Sequence, residues 1–204
     1  MIRFFILKNF PEVSGQVRYF CDICSFMEFI KQHIKGLYLI KPFISEDSRG
    51  SFIKTFHSGE FAKHKLEHDF EESYYSESVK GAIRGMHFQT PPHDHAKLVF
   101  AMQGAVLDVA LDLRKKSPTY KQFRTYQLDD LQKAMLYLPP GVAHGFCALS
   151  EKATLFYLTT SVYNKDHDTG VRYDSFGFKW PVTNPIVSER DMDFVKLEDF
   201  DTPF

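Results

Sequence analysis

From Gly36 onward the apolar residues fall in short runs, separated by clusters rich in Pro, Gly, Ser and Asp. The runs Leu37–Ile40, Phe52–Phe56, Lys97–Met102, Ala105–Leu113, Met135–Leu138 and Thr154–Thr160 predict β-strands. The clusters Ser45–Gly50, Thr90–Asp94, Ser117–Thr119 and Pro139–Gly141 predict the turns between them. Helical spacing shows in Ser25–Ile34, where Phe26, Phe29, Ile30 and His33 fall near one face and predict a short helix. Many short strands with little helical period favour an all-β sandwich or barrel over an alternating α/β fold, and the expectation is a jelly-roll barrel. Asp108–Arg114 shows a period of two: Val109, Leu111 and Leu113 point one way, Asp108, Ala110, Asp112 and Arg114 the other. That second face meets either solvent or the polar mouth of a barrel, and the pattern alone leaves both open.

Composition narrows the class. The chain has 204 residues, of which 44% are hydrophobic and 25% charged, enough apolar material for one packed domain. Twenty-five Lys plus Arg against 26 Asp plus Glu give a net charge of -1, which removes the electrostatic case for a nucleic-acid or membrane partner. Three cysteines cannot build a disulfide framework and fit a reducing compartment, so the cytoplasm is expected. Cys21 and Cys24 form a lone C-x-x-C with no second pair to complete a zinc site. The apolar run Phe4–Leu7 is interrupted by Lys8 and is far too short to span a bilayer.

The densest chemistry lies in Gly81–Gln89, GAIRGMHFQ, which sets a guanidinium, a glycine and an imidazole just before a Pro-Pro turn. On an unbroken strand Arg84 and His87 would face opposite sides, so both reach one site only if Gly85 bends or bulges the chain. His144 follows a Pro-Pro-Gly turn in LPPGVAHGF, where a barrel rim is expected. Lys97 opens a strand, and Tyr157 lies in LFYLTT on the same face as Leu155 and Thr159. Each also has a structural reading: a hydrogen-bonded histidine, a snorkelling lysine, a core tyrosine with a wet hydroxyl. The stretches around His87 and His144 resemble the two short motifs of the cupin superfamily, but Gln89 stands where a second histidine belongs. His93 and His95 lie in a Pro-rich loop, so the usual three-His, one-Glu set is incomplete and no catalytic metal is expected.

GAIRGMHFQ, KLVFAMQGAVLDVALDLRKKSPTY, LPPGVAHGF, FYLTTSVYN and the closing KWP and SERD follow one another as in the dTDP-4-dehydrorhamnose 3,5-epimerase family, which the chain resembles from about Gly36 to Phe204. The resemblance implies a cupin double-stranded β-helix with a few short peripheral helices, a homodimer and no cofactor. It also implies a nucleotide-diphosphate-linked 4-keto-6-deoxyhexose as substrate, in deoxysugar biosynthesis for surface polysaccharide. On the same ground His87 matches the catalytic base, Tyr157 the general acid, Lys97 a residue beside the sugar oxygen, and Arg84 a diphosphate contact. His144 and Tyr163 match further site positions, Arg49 in DSRGSF a nucleotide-binding arginine, and Asp174 in Tyr173-Asp174-Ser175 the carboxylate that orients the base. Glu72 and Tyr74 fall at substrate-binding positions usually held by Gln and Asn, and Lys54 stands where Glu is usual. These departures leave open which nucleotide and sugar are used and whether one or two centres invert.

A ketone acidifies the hydrogens beside it, because the electrons left by proton loss spread onto oxygen, so a base, a cation at that oxygen and an opposing acid belong together. A keto-isomerase of related cupin type and a noncatalytic sugar-nucleotide binder are the alternative readings. Residues 1–35 precede the matched segment 36–204 and are expected to be an N-terminal extension, accessory over 1–26, with Met27-Glu28-Phe29 as a natural start.

Overall fold

The structure, a computed structural model, describes residues 26–204. Two antiparallel sheets carry nearly all of the regular structure. The larger has the strand order β1 (Glu28–Lys31), β2 (Tyr38–Lys41), β10 (Met135–Leu138), β7 (Lys97–Gln103), β12 (Lys152–Thr159) and β5 (Glu72–Val79). The smaller runs β13 (Asp168–Gly170), β6 (Ile83–Gln89), β11 (Val142–Ala148), β8 (Ala105–Asp112) and β9 (Phe123–Asp129). A separate hairpin, β3 (Phe43–Asp47) with β4 (Gly50–Lys54), belongs to neither sheet. Two short helices, α1 (Ser58–Lys63) and α2 (Glu189–Met192), lie at the periphery. The architecture is the expected all-β jelly roll.

The central strands of the two sheets are buried on both faces. Between the sheets Val99, Leu136 and Leu155 of the larger meet Val106, Leu128 and Phe146 of the smaller. The outer face of the larger sheet packs Ile40, Leu98 and Met135 against Phe61 of α1 and Leu66. That of the smaller packs Met86, Val109 and Leu111 against a C-terminal segment carrying Phe176, Phe178, Trp180 and Phe200. Hence β10 and β11 are buried at every residue and read as continuous apolar runs, not alternating ones. In β8 the question left open by alternation is resolved: Asp108, Ala110 and Asp112 are fully buried, so the polar face turns inward.

The helix expected over Ser25–Ile34 is not formed by the described part of that segment. Glu28–Lys31 is a strand, paired with β2 from Glu28↔Lys41 to Lys31↔Tyr38 and closed by a 2.9 Å Glu28–Lys41 ion pair. A helix this short is marginal alone, whereas an open sheet edge supplies main-chain partners and a bed for Phe29, which packs edge-on to Phe61. Ile34 and Leu37 then enter the interior cluster, so the barrel takes in chain before Gly36. Residues 1–25, with the Cys21–Cys24 pair, lie outside the described residues.

Gly85 supplies the irregularity that GAIRGMHFQ calls for. Against β11, His87 pairs with His144 but Arg84 with Phe146, so β6 carries one extra residue between them. Gly85 has φ +133°, and a Cβ built there would lie 2.4 Å from the Cα of Gly145. The two glycines let the strands approach while the bulge turns both Arg84 and His87 to one side. We expect Gly85→Ala to lower stability by roughly 3 kcal/mol or more in urea unfolding, from left-handed backbone strain plus the clash. Gly177→Ala, at φ +81° with nothing within 4 Å of the added carbon, should cost about 1–2 kcal/mol.

Candidate active site

A cavity of about 350 Å³ lies between the sheets. The smaller sheet contributes Arg84 and His87 from β6 and His144 from β11; the larger contributes Lys97 from β7, Tyr157 from β12, and Glu72, Tyr74 and Ser76 from β5. The i, i+2 spacing of the β5 residues puts all three on one face of that strand. Tyr163, Asp168 and Arg190 also line it. Eight of the ten residues expected at the site are therefore brought together, and imidazole and phenol approach from facing sheets.

His87 is held by Asp191, whose Oδ1 accepts its Nε2–H at 2.9 Å. The other oxygen, Oδ2, accepts the Gly85 main-chain N–H at 2.9 Å. Asp191 is in turn placed by α2: Ser188 caps that helix and accepts the Asp191 N–H at 3.2 Å. With Nε2 protonated, Nδ1 carries the lone pair and makes no hydrogen bond among the described residues. Burial pushes the His87 pKa down, more strongly than the Asp191 carboxylate raises it, so the ring is a neutral base. Burial also acts against the Asp191 carboxylate, but hydrogen bonds from His87, Gly85 and Ser188 outweigh it and hold its pKa below the ordinary value.

The second histidine has its own carboxylate. His144 Nε2 lies 2.6 Å from Asp108 Oδ2, both side chains fully enclosed. Lys97, 7% exposed, is brought by burial to a pKa of about 8 and remains mostly charged at neutral pH. Its Nζ reaches the His87 carbonyl oxygen at 3.4 Å. Tyr157 is buried, which raises its pKa and keeps its proton on, with Ser76 Oγ 3.2 Å from the phenol oxygen. Tyr74, directly opposite on β5, stacks on it with centroids 4.7 Å apart and planes at 18°. Arg84 is fixed by Ser78 Oγ and the Glu77 carbonyl, each at 3.0 Å. The Tyr163 N–H donates to Glu72 at 2.6 Å, and Arg190 pairs with Asp168 at 2.6 Å.

Two expected residues lie elsewhere. Asp174 does not orient His87: its Oδ1 accepts from Arg172 Nε at 2.7 Å, and the carboxylate at the histidine is Asp191. The sequence carries this residue in SERD, whereas the resemblance matches the orienting carboxylate to Asp174 in Tyr173-Asp174-Ser175. Arg49 sits at the tip of the β3–β4 hairpin with 88% of its side chain exposed, paired with Asp47 and away from the cavity. The partners Asp108 and Asp191 and the rim residues Asp168 and Arg190 were not singled out by sequence reasoning. Asp108 had a signal in its place on the polar face of β8, and Arg190 and Asp191 in the SERD segment.

A sequence profile described as dTDP-4-dehydrorhamnose 3,5-epimerase matches residues 31–199. The chain belongs to this family. It is 37% identical over 180 residues to the dTDP-4-dehydrorhamnose 3,5-epimerase of Shigella flexneri, covering 86% of this chain and 98% of that one. A dTDP-4-dehydrorhamnose 3-epimerase of Streptomyces niveus is 38% identical over 169 residues, 80% of this chain and 81% of its own. The crystal structure of the Bacillus anthracis 3,5-epimerase with TDP and PPi bound superposes with a TM-score of 0.82 at 37% identity, covering 84% of this chain and 100% of that one. The family includes enzymes named for one centre and for two, so membership fixes the reaction class and leaves the number of inversions to the cavity. The fold is the cupin jelly roll of these epimerases.

The His87–Asp191 pair has a direct spectroscopic consequence. Asp191→Asn removes a charge that raises the His87 pKa, so the His87 ring should titrate at still lower pH in an NMR pH series. Asp174→Asn should leave that titration unmoved.

Proposed function

We propose that this chain epimerises one or both carbons flanking the ketone of a dTDP-linked 4-keto-6-deoxyhexose, in the cytoplasm, as a step of deoxysugar biosynthesis for surface polysaccharide. The observation that carries the reading is the approach of a neutral imidazole and a protonated phenol to one cavity from opposite sheets. A hexose between them would have a base on one face and an acid on the other, the arrangement that inverts a centre instead of merely exchanging its hydrogen.

In this mechanism His87 Nδ1 takes the proton from the carbon beside the ketone. The electron pair moves onto the ketone oxygen, where the Lys97 ammonium, with His144, stabilises it through charge-assisted hydrogen bonds. Tyr157 then gives its proton to the carbon from the other face as the ketone re-forms. Asp191 holds the base in the required tautomer. Arg84 and Arg190 at the rim grip the diphosphate, using remote binding energy to orient the ring. Glu72, Tyr74 and Tyr163 line the rest of the substrate site.

The active unit in this reading is a homodimer. The β3–β4 hairpin packs in neither sheet and carries Phe52, 61% exposed, beside Arg49. β5 is an open sheet edge, and the exposed Tyr75 and Met102 add apolar surface to the same sheet. A second copy covers both features by the symmetry of a two-fold interface, and the partner subunit's Arg49 then reaches the nucleotide end of this cavity.

Incubation with dTDP-4-keto-6-deoxyglucose in heavy water tests the chemistry. The wild-type chain should place deuterium beside the ketone without moving the carbonyl. His87→Ala should lose nearly all exchange, on the order of a hundredfold or more, while Tyr157→Phe keeps exchange and loses inversion. A relocated carbonyl would show a keto-isomerase, and no exchange in the wild type a binding protein.

The dimer has a test of its own. Arg49→Ala and His87→Ala are each expected to be impaired as pure dimers, yet mixing after mild dissociation should give more activity than the two summed, because one site of each hybrid is intact. No gain on mixing would place Arg49 in service of its own chain.

A further inference from the structure

In the mechanism above Tyr157 has to face the sugar at the moment its hydroxyl lets go of the proton. The contact between the phenol oxygen and Ser76 Oγ, at 3.2 Å, is longer than the usual O–H···O range and leaves the ring free to turn about it. A phenol that gives its proton to carbon is also not, at that moment, donating it to Ser76. Orientation in the reacting state therefore has to come from contacts of the ring itself. Two other rings of the cavity wall supply them. His144, anchored in the opposite sheet by Asp108, meets the Tyr157 ring edge-on, with centroids 6.0 Å apart and planes at 76°. Tyr74 lies on it face to face, at 4.7 Å and 18°.

The stack is the closer of the two contacts, and the pairing of β12 with β5 sets Tyr74 directly opposite Tyr157, so the ladder itself holds the rings together. An aromatic pair in this arrangement is stabilised beyond the area it buries. The Tyr74 hydroxyl bonds no other described residue, so what this position gives its neighbour is the ring; the asparagine usual there in the resembling family has none. We infer that Tyr74 is a positioning residue for the acid, its ring keeping Tyr157 turned so that the phenol reaches the carbon from the face opposite His87. This rests on the proposed epimerase reading and adds to it the group that decides the fate of the enolate. Two routes leave that enolate. His87 can return a proton to the face it came from, which restores the original centre. Tyr157 can give one to the other face, which inverts it and leaves a phenolate on Tyr157 and an imidazolium on His87; both reset by proton exchange with water after the product leaves. A ring free to turn slows only the second route.

The test reads a ratio, inverted product to substrate that has gained deuterium with its configuration kept, for dTDP-4-keto-6-deoxyglucose in heavy water. Both species descend from one enolate, so weaker binding, a slower base or a smaller folded fraction changes them alike and leaves the ratio where it was. Tyr74→Asn is expected to lower the ratio roughly fivefold. Tyr74→Phe, which keeps the ring and loses only the hydroxyl, should hold it at the value of the unaltered chain. In the unaltered protein, nuclear Overhauser contacts between the ring protons of Tyr74 and Tyr157 should be present, a readout that needs no variant to fold. An unmoved ratio in Tyr74→Asn, an equal fall in Tyr74→Phe, or the absence of ring-to-ring contacts would overturn the inference while the epimerase reading stands. Neither exchange nor inversion by the unaltered chain would overturn that reading and the inference with it.

Discussion

Asp191 makes two hydrogen bonds that fix different things. Through Oδ1 it sets the tautomer of His87; through Oδ2 it takes the Gly85 N–H that the bulge in β6 withdraws from the strand ladder. A bulge leaves a main-chain donor without a partner, and such a donor is costly to bury. The same carboxylate that satisfies it also anchors the ring: the irregularity that turns Arg84 and His87 to one side is stabilised by the group that orients His87. Coupling backbone geometry to tautomer in this way ties the C-terminal α2 turn, with its Ser188 cap, to the middle of the smaller sheet.

The two-sided burial of the sheets explains why the site lies where it does. Each sheet has an outer apolar layer, supplied by α1 and Leu66 on one side and by the aromatic C-terminal segment on the other. The space between the sheets is then free to be apolar along part of its length, at Val99, Leu136 and Phe146, and polar elsewhere, at Asp108, Lys97 and His144. Stability does not require the whole interior to be filled with hydrocarbon. That freedom lets polar and charged groups line a cavity between otherwise apolar layers.

Much of this was legible in the chain, for reasons that differ by element. Strands such as Lys97–Gln103 and Ala105–Asp112 announce themselves by β-branched and apolar runs between turn residues. β5, ESYYSESV, does not, because as a sheet edge lining a cavity it exposes most of its residues. β11, VAHGFCA, lacks a period of two because both faces are covered. The Ser25–Ile34 helix was misread because apolar residues three and four apart also suit a short strand whose two faces are both half-buried. At the site, the residues that face the cavity carried the family pattern, so His87, Lys97, His144 and Tyr157 were found. Their carboxylate partners were not, since a partner is defined by distance in space: Asp191 is 104 residues from His87, and Asp174 is nearer in sequence but is held by Arg172.

One physical cause sets three protonation states together. Burial disfavours charge whatever its sign, so it lowers the pKa of His87, lowers that of Lys97 to about 8, and raises that of Tyr157. A base must be neutral to accept a proton and an acid must hold one to donate it, and desolvation drives both in the needed direction at neutral pH. In the proposed mechanism Lys97 is where the same force works against the chemistry, since a neutral amine would not stabilise an enolate. Its lysine pKa starts high enough to survive the shift, and the fields of Asp168 and Asp108 oppose the loss of charge. A histidine in that position, beginning near neutrality, would be discharged by the same burial, as His95 is two residues away. A lysine at position 97 thus keeps its charge under the burial that leaves His87 neutral and Tyr157 protonated.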